Sequence, residues 1–334
     1  MKPFLLHAHT KPISWIKFNR EGDLIFVASK DALVTVWHTH NGELLGSYQH
    51  SGAVTCLDVD DSTTRLITAC ADQNAYLWDI QTGKLICQYS QSTPVRSIQF
   101  AEGGNLFLCV TDASYKNTPS IQIYSIPKEL YESNKPCEKK QIARLKIEQD
   151  VKITHAVWGP LNETIICGCV DGSIRQYDST SGQCLGKSED HHKDIIKIAL
   201  SKDKMLLISA SLDNTAKLYE TKTLELLKTY KSNEPVNTAA ISPYKNHIVL
   251  AGGIAAQDVT LSLGKSTYFN SKFFHKVFEN KLGEVRGHFG PIHILAFTPD
   301  GHGFASGGED GYVRLHYFDK DVLEMNDGPD GPMD

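Results

Sequence analysis

An apolar triplet of the form Ψ-x-x-Ψ-x-Ψ recurs seven times in this chain of 334 residues, and its period restricts the fold more tightly than any other feature. The copies begin at Ile13, Val54, Val95, Ile153, Ile195, Val236 and Ile292, at spacings of 41, 41, 58, 42, 41 and 56 residues. Four spacings agree within a residue, and the other two are the same unit carrying an insertion of about 15 residues. An aspartate stands 18 residues beyond the start in five copies (Asp31, Asp72, Asp171, Asp213, Asp310) and 17 beyond it in the third, at Asp112. Repeats of about 40–45 residues in this phase are the signature of four-stranded propeller blades.

The units read as strands. In the first, Ile13 to Phe18 ends at the turn Asn19-Arg20-Glu21-Gly22-Asp23. Leu24 to Ser29, the turn at Lys30-Asp31, and Leu33 to Trp37 follow, and Asn41-Gly42 precedes Leu44 to Tyr48. Each run is short, β-branched or aromatic, and bounded by Gly, Asn or Asp. No long window carries a 3.6-residue stripe. The reading is all-β: a seven-bladed propeller spanning residues 1–320, with blades starting near 9, 50, 92, 150, 191, 233 and 288.

The last unit lacks a fourth strand, whereas Phe4-Leu5-Leu6 precedes the first triplet and is otherwise unassigned. Residues 2–8 are therefore expected to supply the outer strand of the seventh blade and close the ring. Residues 321–334 are acidic and rich in Gly and Pro, a composition expected to be disordered.

Composition narrows the function classes. A net charge of −5 argues against a broad nucleic-acid footprint, so no sequence-specific nucleic-acid contact is expected. No apolar run is long enough for a spanning helix or a signal peptide, so no membrane association is expected. The eight cysteines lie mostly in predicted strands without a C-x-x-C, which reads as small core residues in a reducing compartment.

His9, Ser29 and Asp31 with Trp37 invite comparison with a nucleophilic triad. Repetition decides against it. His50, Cys70, Asp72 and Trp78 occupy the same phases in the second unit, His191, Ser211, Asp213 and Tyr219 in the fifth, and His288, Gly308, Asp310 and His316 in the seventh. Catalysis needs one copy, whereas a hydrogen-bonded brace between loops is wanted in every blade. These residues, with Asp171, are read as structural tetrads and the chain as no enzyme. For metal, His38-x-His40, His191-His192 and Cys167-x-Cys169 lack the converging four ligands of a zinc site. Gly252-Gly253 and Gly307-Gly308 fit no phosphate-loop pattern. No cofactor and no metal are expected. The third and sixth units lack the loop histidine and carry the insertions, at 127–140 and 254–268, where partners are expected to bind.

The tetrads and the period resemble those of WD-repeat propellers, although the Trp-Asp pair itself survives only at Trp78-Asp79. A closer likeness lies in Gly287-His288-Phe289-Gly290-Pro291-Ile292, Thr298-Pro299-Asp300-Gly301 and the run from Ser306 to Phe318. With Ala156-Val157-Trp158-Gly159-Pro160, Asp258-Val259-Thr260, Lys272-Phe273-Phe274-His275 and the opening Met1-Lys2-Pro3, these resemble the i subunits of eukaryotic translation initiation factor three. The likeness covers the whole chain. It departs at Ala251 to Ala256, where the family carries Gly-Gly-Gly-Gln-Glu-Ala, and at Ala8-His9 in place of Gly-His. The resemblance implies a cytoplasmic, non-catalytic scaffold that binds the b and g subunits of that factor and works with the small ribosomal subunit in initiation and scanning. By analogy, the b-subunit segment is expected at the fifth and sixth blades, on Tyr230, Lys231, Asn233 and Glu234. The other reading is a WD-repeat adaptor in signalling or ubiquitin-ligase substrate recognition.

Overall fold

The structure, a computed structural model, describes residues 3–115, 117–127, 143–253 and 269–319. The acidic tail and most of both insertions, including Cys137 and Asp258 to Thr260, lie outside the described residues. Seven antiparallel four-stranded sheets are arranged in sequence order around a ring. Blade one runs from the innermost strand Ile13–Phe18 through Leu24–Ser29 and Leu33–His38 to the outer Leu44–Gln49. Among the described residues the only helical turn is a 3₁₀ turn at Pro160–Asn162.

The triplet spacing has a specific cause. A strand with one buried face would bury alternate residues, giving Ψ-x-Ψ-x-Ψ. Every innermost strand instead carries a register shift after its first residue, as between Ile13 and Trp15 or Val95 and Ser97. The extra residue is a β-bulge, and it moves the buried set from positions 0, 2, 4 to 0, 3, 5. In blade one these are Ile13, Ile16 and Phe18, all buried.

Each blade buries its faces on both neighbours. Seven apolar clusters result, one at each seam. The seam between blades seven and one holds Ile13, Ile16 and Ile25 against Ile294, Ala305 and Leu315. Contact there is so close that a Cβ on Gly307 would lie 2.6 Å from Ile13 Cγ2. The ring is closed by the strand Phe4–Leu6, which pairs antiparallel with Val313–Tyr317 as the outer strand of blade seven. Leu6 is buried in the same seam, His7 stacks on Tyr312 at 4.3 Å, and the Tyr317 hydroxyl donates to Thr39 O of blade one at 3.1 Å. In blade six the third strand is Asn270–His275. It stops there because His275 Nδ1 accepts the amides of Val277 and Phe278 and turns the chain.

Candidate functional site

The repeated polar residues converge on one face of the ring, where the loop leading into each innermost strand meets the turn between the second and third strands. In blade one His9 Nδ1 donates to Asp31 (3.0 Å to Oδ2), and its Nε2 accepts from the Thr35 hydroxyl at 2.8 Å. The indole N–H of Trp37 donates to that hydroxyl at 2.8 Å. Asp31 also accepts the amides of Thr10 and Leu33, so one carboxylate staples the loop to the turn. Burial lowers the pKa of His9, against the opposing pull of Asp31. A neutral imidazole with its proton on Nδ1 satisfies every donor in this chain.

Here the structure corrects the sequence reading. Ser29 is not the hydroxyl of the relay: it donates to Lys11 O and Pro12 O and accepts the Asp31 amide, closing the turn. Ser211 does the same with Lys193 O and the Asp213 amide, and the Cys70 thiol reaches Gly52 O. The hydroxyl that meets the histidine lies two residues earlier: Thr68 on His50 (2.8 Å), Ser209 on His191 (2.6 Å) and Ser306 on His288 (2.8 Å). Gly308 therefore leaves no gap in blade seven. In blade one that position is Val27, and Thr35, its cross-strand neighbour, supplies the oxygen instead.

The aspartates divide in the same way. Asp213 and Asp310 hold His191 (2.7 Å) and His288 (3.1 Å); hydrogen bonds from Thr215 and His191 hold the Asp213 carboxyl low, and His288 and Arg314 hold that of Asp310 well below the usual range, both against burial. In blade two His50 turns to Tyr48 O at 3.1 Å, and Asp72 accepts the Tyr76 hydroxyl at 2.6 Å, so the expected His50–Asp72 bond is replaced. Trp78 still donates to Thr68, at 3.2 Å. Asp171 has no histidine to hold; it accepts Ser173 and Arg175.

Blades three and four keep the brace with other residues. Gln91 and Gln149 stand four residues before their triplets, where the histidines stand elsewhere. Gln91 Nε2 donates to the Tyr124 hydroxyl at 2.8 Å, and the Tyr177 hydroxyl donates to Gln149 Oε1 at 2.5 Å. The phase of each glutamine was the available signal.

The segment expected to meet a partner is divided. Tyr230 is fully buried in the seam between blades five and six, its hydroxyl donating to Lys276 O at 2.5 Å, so it presents no surface to a partner. It sits on the inward face of the strand Leu226–Lys231, which sequence alternation alone predicts from exposed Lys231. Lys231 and Asn233 are exposed and Glu234 is half-buried. Among the described residues no group of three or more His, Cys, Asp or Glu is placed to hold a metal ion, and no helix is long and apolar enough to cross a membrane.

Comparison with known proteins decides the family. The EIF3I family model matches residues 1–327. The chain belongs to the EIF3I family. It is 44% identical over 329 residues to the proteins named eukaryotic translation initiation factor 3 subunit I of Mus musculus and Homo sapiens, covering 97% of this chain and 99% of each relative. The Danio rerio protein of the same name is 44% identical over 328 residues, with the same coverage. These relatives are named as subunits of an initiation factor, not as enzymes. The match spans both insertions and the tetrads alike.

The blade-one substitution gives a direct test. Thr35→Val strips an acceptor from Trp37 and a donor from His9 in a buried site, at a cost of about 2–3 kcal/mol. Adding Val27→Thr restores a hydroxyl where blades two, five and seven carry it, and the double variant should regain much of the lost melting temperature. No recovery would mean that Thr35 acts through packing alone.

Proposed function

We propose that this chain is a non-catalytic scaffold subunit of a eukaryotic translation initiation factor three complex, acting in the cytoplasm. It binds the b and g subunits of that factor and supports small-ribosomal-subunit recruitment and scanning. The observation that carries this reading is near full-length identity to relatives named as subunit I. The geometry suits the role. His, Asp and hydroxyl groups recur around the ring and lock loops together, and we assign them to bracing. Partners then dock on the rim, where outer strands such as Leu44–Gln49 and Cys184–Ser188 are largely exposed. Leu44, Leu45, Leu185 and Leu227 present apolar side chains there, and such edges and seams take extended segments or amphipathic helices.

The test is mass spectrometry of proteins retained by the tagged full chain, with and without nuclease. Retention of other initiation factor three subunits after nuclease supports the reading, and retention of signalling or ubiquitin-ligase components instead would replace it. Within it, Lys231 and Glu234 are the charged groups at the exit of blade five that remain available to the b subunit. Lys231→Glu with Glu234→Lys is expected to weaken capture of that subunit about tenfold, and undiminished capture would place the contact elsewhere.

A further inference from the structure

The bulge in each innermost strand aims the third residue of the strand at the ring axis. In blades one, four and five that residue is Trp15, His155 and Lys197. They meet there: Lys197 Nζ lies 4.0 Å from the centroid of the Trp15 ring, and the His155 ring lies 5.0 Å from the same indole. All three line both axial cavities, an upper one of about 700 Å³ and a lower one of about 410 Å³. They form the neck between them.

The neck is chemically incomplete. Lys197 is 8% exposed, and its ammonium faces the Trp15 π system with no carboxylate partner among the described residues. Burial, with the Lys17 ammonium nearby, pushes its pKa down to about 7. His155 is 6% exposed, and its Nδ1 has no hydrogen-bond partner. Keeping an unpaired amine and an unpaired imidazole out of water is costly. A chain that needed only to fill its axis would do better with methionine at 197.

The upper funnel does not supply the missing negative charge. Among the described residues its walls include Lys30, Arg96, Lys193 and Lys197 but no Asp or Glu, in a chain whose net charge is −5. Arg96 is held by Asp112 in a two-pronged pair at 2.8 and 2.7 Å, and His293 by Glu309 at 2.5 Å. Lys30, Lys193 and Lys197 have no ion pair among the described residues. The rest of the wall is largely apolar, as at Ile13, Val54, Ile196, Leu212 and Pro291. The lower cavity differs: it contains Asp58, paired with Lys17 at 2.8 Å, and Lys204 is paired with Glu102 at 2.6 Å.

We propose that the upper funnel is a binding site for a small phosphate-bearing polyanion, seated deepest on Lys197 above Trp15 and met at the rim by Lys30 and Lys193. The volume is that of a small-molecule site. Three separate ammonium groups suit a phosphate, which accepts point charges from many directions, better than the planar carboxylate that arginine forks select. The occluded neck excludes a threaded nucleic acid strand.

Isothermal titration of the full chain with inorganic pyrophosphate and with tripolyphosphate tests this. Saturable one-to-one binding is expected, with tripolyphosphate the tighter. Lys197→Met should weaken it tenfold or more while raising the melting temperature of the unliganded protein, so loss of binding cannot be read as loss of fold. Lys30→Met and Lys193→Met should each weaken binding several-fold, and Lys202→Met at the lower mouth should not. The proposal is overturned by no saturable binding at millimolar probe, by undiminished binding in Lys197→Met, or by a lower melting temperature in that variant. Tighter binding of a glutamate hexapeptide than of tripolyphosphate would overturn the phosphate assignment.

Discussion

Removing residues 1–8 should lower the melting temperature by roughly 10 °C, a large effect for the loss of three paired residues from a rim strand. The reason lies in ring closure. Among the described residues Phe4–Leu6 is the only strand that leaves its sequence neighbours, pairing with Val313–Tyr317 at the far end of the chain. Without it, Leu6 vacates the seam shared by Ile13, Ile294 and Leu315, at about 2–5 kcal/mol for a leucine-sized cavity. The backbone edge of Val313–Tyr317, buried in the closed ring, is exposed. Phe4 also leaves its edge-on contact with Tyr317 at 6.3 Å, and His7 its stack on Tyr312. Blades seven and one can then separate more easily, because what joins them among the described residues is chiefly packing, with bonds such as that from Tyr317 to Thr39. Calorimetry of the truncated chain measures this, with Leu6→Ala giving a smaller loss through the cavity alone. An unchanged melt would show that the ring holds together without its clasp.

How much of this was legible follows from what one repeat carries within itself. The period, the strands and the clasp were legible because each unit must bury two faces and the last unit lacked a strand. The hydroxyl of the relay was misplaced because residues two apart on a strand share a face. Alternation cannot separate Ser29 from Val27, or Ser211 from Ser209; only the path of the loop, which brings His191 over Ser209, does so. Gln91 and Gln149 escape a pattern based on residue type, because the type changes while the phase does not. Tyr230 reads as surface from the polar connection that follows it, whereas its place on the strand Leu226–Lys231 turns it inward. The neck of Trp15, His155 and Lys197 is a different case. Each looks ordinary in its own unit, and only superposing units by phase reveals that three blades send them to one axis.

Acid should unfold this protein well above the pH at which its carboxylates titrate. Burial pushes the pKa of His50 down to about 4, that of His316 to about 4 and that of His155 to about 3. All three are under 8% exposed, and in the unfolded chain each returns to about 6.5. Between those values the unfolded state binds more protons than the folded one, so stability rises with pH there and falls as pH is lowered. Each group contributes up to about 1.4 kcal/mol per pH unit in that window. From pH 7 to pH 5 the three together remove on the order of 5 kcal/mol. Below about pH 4 the aspartates act in the same direction: Asp213 and Asp310, held low by their partners, stabilise the fold above the unfolded carboxylate value of about 3.9 and lose that contribution as pH falls through their folded values. Urea midpoints at pH 7, 6 and 5 at constant ionic strength read the first window. His50→Gln should shift the whole curve down while reducing its slope, since one of the buried histidines that take up a proton on unfolding is gone. A midpoint independent of pH between 7 and 5 would mean that the buried imidazoles are protonated in place, and the neutral relay from His50 through Thr68 would have to be redrawn.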